Sequence, residues 1–181
     1  MRPPDTRPPD TTTNDLTRLV GTWELDPART TVELRTRVMG VIPVTGTLRV
    51  LGGDARIEPD GTAAGTLRID AASIDTGNTR RNVHLRSEHF LDAARHPLIV
   101  FTATDACPSA PDTVQVDGTL AVRDDVERLR VPARVSESGA SATVTTYVEI
   151  DRRLWHMGWG SKLGVGVKAQ VRIRAEFLRV S

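Results

Sequence analysis

One cysteine, Cys107, is all the chain carries in 181 residues, so no internal disulfide can form. Lysine is almost as scarce: of 24 basic residues only Lys162 and Lys168 are lysines, which leaves 22 arginines. A GC-rich genome would by itself produce that bias. The arginines alternate with acids, the net charge is +1, and no basic block forms, which argues against nucleic acid as the main partner. Long apolar runs are also missing. Nothing approaches the ~18 consecutive apolar residues of a membrane-spanning helix. The first twenty residues hold no apolar stretch of the ~7–15 residues a secretory signal needs. Cytoplasmic residence is the expectation that follows. Aromatic residues make up only 4%, so the position of each tryptophan is informative.

The chain is of single-domain length, and a core of that size needs no covalent staple. "MRPPDTRPPDTTTNDL" repeats Arg-Pro-Pro-Asp-Thr in tandem, with few side chains to bury. Residues 1–18 therefore read as a disordered or polyproline-like tail, ahead of a domain at 19–181. From Trp23 the texture changes to period-two alternation. Val32, Leu34, Thr36 and Val38 share one face of "TVELRTRVM". The same pattern gives Val114, Val116, Gly118, Leu120 and Val122; then Leu129, Val131, Ala133 and Val135; and, most clearly, Val167, Ala169, Val171, Ile173, Ala175 and Phe177. Alternation of this kind predicts strands with one dry and one wet face. Further strands are expected near 22–26, 43–51, 55–58, 64–74, 98–104 and 141–150, separated by turn signals such as "GGD", "PDG" and "SGAS". The expected fold is all-β: an antiparallel, up-and-down barrel of about eight strands, because a sheet with one dry face must close or find a partner sheet.

One stretch breaks the pattern. "SIDTGNTRRNVHLRSEHF", Ser73 to Phe90, is polar and reads as a loop and short helix with Asn82 as its N-cap, crossing between two strands and capping one barrel end.

Chemistry is hard to find. His84 and His89 stand five apart, on different sides of a helix, and no cysteine pair or HExxH accompanies them, so no metal site is expected. "GWGSKLG" lacks the order of a phosphate loop, and Ser161 lies outside any G-x-S-x-G. Asp124 and Asp125 read as turn residues, and Cys107 sits in "ACPSAPD", a loop by composition. "LWHMGWG" gathers Trp155, Met157 and Trp159, side chains suited either to core or to an apolar ligand. A barrel of this size can be filled solid or can hold one small ligand.

The same residues resemble the YceI-like family, also described as polyisoprenoid-binding proteins. "WELDPART" is similar to that family's W-x-[IL]-D-x-x-H-S, and "PVTGTL" to its V-x-G-x-F. "RIDAASIDTGNTRRNVHLRSEHFLDAARHPLIVF" resembles its central signature, while "VDGTLAVRD" and "IDRRLW" resemble later segments. The resemblance covers about residues 21–180. It implies a lipocalin-like barrel holding a long apolar amphiphile, an isoprenoid-type lipid or quinone, for carriage, storage or protection. Several positions depart from the pattern: Arg29-Thr30 stand for His-Ser, Asn82 for Asp, Leu34, Leu48 and Leu91 for Phe, and His156 for Gly.

On strand parity and that resemblance the expected lining is Leu34, Val38, Leu67, Ile69, Phe101, Leu120, Trp155 and Trp159, with Arg81 and His84 as supports or head-group contacts at the capped end. No catalytic residue and no cofactor beyond a bound lipid are expected, and a homodimer is expected by analogy. A barrel-chamber cyclase or isomerase is the alternative from another class. A solid-core scaffold that binds through its proline-rich tail is the third.

Overall fold

Alternation is realised in nine strands: β1 (Gly21–Leu25), β2 (Thr31–Val38), β3 (Ile42–Ile57), β4 (Ala63–Asp75), β5 (Leu98–Ala110), β6 (Thr113–Val122), β7 (Asp125–Ser138), β8 (Ser141–Asp151) and β9 (Lys168–Arg179). One α-helix, α1 (Thr79–Arg86), and 3-10 turns at Leu16–Leu19, Pro27–Arg29 and Arg152–Trp155 complete the elements. The structure is a computed structural model and describes residues 16–110, 112–157 and 166–180. Among these, no helix is long and apolar enough to cross a membrane.

Strands β2 to β9 pair antiparallel with their chain neighbours, and β9 returns to β2 with Val32 opposite Ile173. The result is a closed eight-stranded up-and-down barrel. Strand β1 adds no ninth stave. It pairs with β3 and β9, the same two neighbours as β2, through Trp23 opposite Ala55 and opposite Arg179. β1 and β2 are therefore one stave, interrupted at Pro27–Arg29. Proline brings no N–H to a ladder, and local bonds take over at the gap. Asp26 Oδ1 accepts from the Ala28 N–H at 3.0 Å. Thr30 Oγ1 accepts from the Glu176 N–H at 3.1 Å and donates to the Asp26 carbonyl at 2.8 Å.

Two expectations are corrected. The segments near 43–51 and 55–58 are one strand, because "GGD" makes a bulge rather than a turn. Gly52 has φ of +156°, and the register with β4 shifts between Val50 and Gly52. An added residue in one strand moves the inward set to the other parity. Leu48 and Val50 point inward before the bulge, Ala55 and Ile57 after it. Cys107 lies within β5, opposite Gln115, and not in a loop; it is exposed. A second bulge between Ala103 and Asp105 keeps that end of β5 paired with β6.

The crossing between β4 and β5 carries α1 over one end of the barrel, as the polar stretch implied. The interior divides into two apolar clusters. One, at the α1 end, holds Leu48, Val50, Ile69, Phe90, Trp155 and Met157. The other, at the opposite end, is built around Leu16, Leu19, Trp23, Val114, Ala133 and Ala142.

Candidate functional site

At the α1 end the side chains hold the cap rather than expose chemistry. Asn78, not Asn82, is the N-cap: its Oδ1 accepts from the Arg81 N–H at 3.0 Å. Asn82 lies within the helix and is buried. Its Oδ1 accepts from the N–H and hydroxyl of Thr76 at 2.9 and 2.7 Å, and its Nδ2 donates to Asp75 Oδ1 at 2.9 Å. Asx residues compete so well for nearby backbone groups that composition does not separate these two asparagines. Arg81 gives its Nε to Thr76 Oγ1 at 2.8 Å and its Nη2 to the Thr76 carbonyl at 2.9 Å. The His84 ring stands edge-on to Phe90, with ring centroids 5.2 Å apart.

Beneath the cap, Trp155 is fully buried and donates its Nε1 to the Leu120 carbonyl at 3.1 Å. Arg152, also buried, lies with its guanidinium 5.4 Å from the centre of the Phe90 ring. It donates Nε to the Gly166 carbonyl at 2.9 Å and Nη1 to the Met157 carbonyl. Burial pushes the Arg152 guanidinium below its ordinary pKa, against the opposing field of Asp151. This arrangement ties the 3-10 turn to the start of β9 and fills the α1 half with side chains.

The other half is open inside. A cavity of about 190 Å³ runs from Leu16, Leu19 and Trp23 inward to Leu67, Phe101 and Ile173. Its walls are Ala55, Ala103, Ala106, Ala133, Ala142 and Ala175 with valines between them, so the void exists because short side chains occupy inward positions of adjacent strands. Gly118 contributes indirectly. A Cβ there would lie 2.9 Å from Phe101 Cζ and 2.3 Å from the Thr102 carbonyl oxygen, so glycine leaves room for β5 and the tip of the Phe101 ring to approach β6. A second, larger cleft of about 630 Å³ lies outside the barrel between β3 and α1, bordered by polar residues that include Arg49, Asp75 and Arg86. It is open to solvent and its carboxylate is already engaged: Gly77 and Asn82 donate to Asp75 and hold it below the usual carboxylate range.

Of the residues expected to line a site, Leu67 and Phe101 border the cavity. Ile69 and Trp155 belong to the α1-end cluster, and Leu34 and Leu120 pack against it. Val38 is half-buried near the β2–β3 turn, opposite Ile42. Trp159 lies outside the described residues. Arg81 and His84 sit in the cap, away from the void. Sequence reasoning placed Ala133 and Ala175 on inward faces but named no alanine as lining, although inward parity was the signal. It also passed over Leu16 and Leu19, spaced three apart just before Trp23. Arg152 carried no signal that separates it from exposed Arg153. No group of three or more His, Cys, Asp or Glu among the described residues could hold a metal ion.

Comparison with known proteins agrees with this architecture. A family model described as "YceI-like domain" matches residues 23–177. A UPF0312 protein of Azotobacter vinelandii is 27% identical over 96 residues, 52% of this chain and 50% of that protein. Protein YceI of an Escherichia coli O6:H1 strain is 27% identical over 110 residues, 60% of this chain and 57% of that protein. The matched part thus spans between half and six tenths of those relatives. Among solved structures, BcnA of Burkholderia cenocepacia superposes with a TM-score of 0.77 at 22% identity, covering 84% of this chain and 98% of that one. A polyisoprenoid binding domain from Saccharophagus degradans, implicated in plant cell wall breakdown, gives 0.71 at 16% identity, covering 87% and 98%.

Proposed function

The chain belongs to the YceI-like family, and we propose that it binds an apolar molecule of isoprenoid or quinone type inside its barrel, sheltering it from water for carriage, storage or protection. The observation that carries this reading is the apolar void with alanine and valine walls inside one half of the barrel, partly open to solvent and ringed by strands that could have been filled with larger side chains. Well-packed barrels leave few voids of that size. An unfilled apolar cavity forgoes contacts along its whole lining, so it is retained against a stability cost.

Hydrocarbon leaving water contributes about 0.8 kcal/mol per CH₂. Association costs roughly 4–15 kcal/mol, so about five buried carbons offset the low end of that range. Leu67 and Phe101 are the sequence-expected residues that would touch the guest, with Ile69, Leu34, Leu120 and Trp155 as the wall behind them.

The polyisoprenoid binding described for the Saccharophagus domain supports the ligand class by kinship of fold. The test is native mass spectrometry of gently purified protein together with organic extraction. One discrete apolar molecule per chain is the expected result. An apo mass that persists after incubation with isoprenoid alcohols would sink the reading.

A further inference from the structure

One hairpin projects beyond the ring of strands. Among the described residues, the ladder between β2 and β9 ends with Arg35 opposite Gln170, and that between β3 and β4 ends with Thr47 opposite Asp75. β2 and β3 stay paired with each other as far as Val38 opposite Ile42. Residues 36–45 thus form a two-stranded arm at the α1 end, its tip roughly 10 Å past the last rung shared with β9. One side of its base is tethered: Thr36 Oγ1 donates to the Lys168 carbonyl at 3.0 Å, and the Gly166 N–H donates to the Arg37 carbonyl at 2.8 Å.

The tip is apolar and in water. Residues 38–44, Val-Met-Gly-Val-Ile-Pro-Val, carry no polar side chain. Met39, Val41 and Ile42 are 69%, 72% and 53% exposed. The turn makes this choice of residues costly. The Val41 N–H donates to the Val38 carbonyl at 3.3 Å, and Met39 and Gly40 between them have φ of +53° and +73°. Asn-Gly is the pair such a backbone favours, because asparagine tolerates the left-handed region that a long side chain avoids. Methionine there is strained and apolar where asparagine would be relaxed and polar.

The charge behind the tip has one sign. Arg35 and Arg37 are exposed, and no acid occurs between Glu33 and Asp54. Among the described residues neither arginine has an ion-pair partner. The acids at the arm's base are engaged: Asp75 accepts from Gly77 and Asn82, and Glu149 pairs with Lys168 at 2.8 Å.

We infer that this hairpin docks the protein on an anionic lipid surface. Met39, Val41 and Ile42 enter the interface, and Arg35 and Arg37 meet the head groups. An apolar tip backed by unpaired cations supplies the two signals that interfacial binding needs, buried hydrocarbon and attraction to anionic lipid. A second copy is the poorer occupant, because pairing two arms sets four arginines together with no acid on either arm to answer them. The inference goes beyond the guest proposed for the barrel and does not depend on it.

The experiment is flotation of the full-length protein with vesicles of phosphatidylcholine alone and of phosphatidylcholine with phosphatidylglycerol. Binding is expected to the anionic vesicles, at least fivefold weaker to the neutral ones, and to weaken as added salt screens the arginines. Arg35→Gln and Arg37→Gln should each cost about fivefold on anionic vesicles. Met39→Asn combined with Val41→Thr should cost at least tenfold without lowering Tm, since asparagine suits the turn. The comparison of vesicles in the unsubstituted protein needs no variant, so a misfolded variant leaves the test intact. Guest capture, read separately by native mass spectrometry, should survive the tip substitutions, which keeps failure of docking distinct from failure of the barrel reading. Absence of binding to both vesicles, or tip variants that bind as tightly as the unsubstituted protein, would overturn the inference. A lipid-free dimer abolished by the tip substitutions, with no vesicle binding, would overturn it in favour of a second copy.

Discussion

The side-chain amide of Asn82 donates to Asp75 Oδ1 across 2.9 Å, so a helix residue and the last residue of β4 are joined through a donor that a carboxylate could not supply. The position is one where the family pattern carries aspartate. Asn82→Asp would set a second carboxylate against Asp75, and like charges at that distance compete for one proton. The expected outcome is a Tm lowered by roughly 2–8 °C at pH 7. The difference should narrow as pH falls through the carboxylate range, because a shared proton restores the donor. Thermal unfolding of both proteins between pH 4 and 7 measures this; a gap independent of pH would count against the charge argument.

Arg152 spans two carbonyls from one buried position, reaching Gly166 with Nε and Met157 with Nη1. Lysine keeps the charge but cannot present a planar fork. Arg152→Lys is expected to lower stability by about 1–3 kcal/mol, since at least one buried carbonyl loses its donor. Urea denaturation followed by tryptophan fluorescence reads the change; an unaltered midpoint would mean that water replaces the guanidinium without penalty.

Asp151 closes β8 and caps the following 3-10 turn, accepting from the Arg153 N–H at 3.0 Å. The Arg153 side chain first, and then its backbone N–H, hold the Asp151 carboxyl at about 2. The unfolded chain has the ordinary value of about 3.9. Because the folded value is the lower one, the contribution is complete above about pH 4 and disappears as pH falls through about 2. Asp151→Asn keeps a capping side chain and removes the charge, so the acid limb of the stability profile should flatten in that window. An NMR titration of the Asp151 carboxyl in the native protein should show a midpoint near 2; a midpoint near 4 would refute the assignment.

Much of the barrel was legible in the order of residues alone. Side chains on a strand alternate between faces, so Val114 to Val122 and Val171 to Phe177 declared their inward members before any pairing was known. Turn residues placed most of the hairpins, with Gly61 at φ of +87° and Gly139 at +61°. The crossing helix was announced by the loss of alternation between Ser73 and Phe90.

What local sequence could not decide was anything that depends on partners distant in the chain. Whether "GGD" turns the chain or bulges it depends on whether β4 lies alongside to keep pairing beyond Gly52. The bulge then reverses which residues of β3 face inward. β1 and β2 share one stave only because β3 and β9 are both long enough to pair with each in turn. The cavity is likewise a product of closure. Ala103, Ala133, Ala142 and Ala175 are scattered over more than seventy residues, and each alone is an ordinary small residue in a strand. They form a void because the ring brings their short side chains to one level of the interior, where no neighbour is long enough to fill the space.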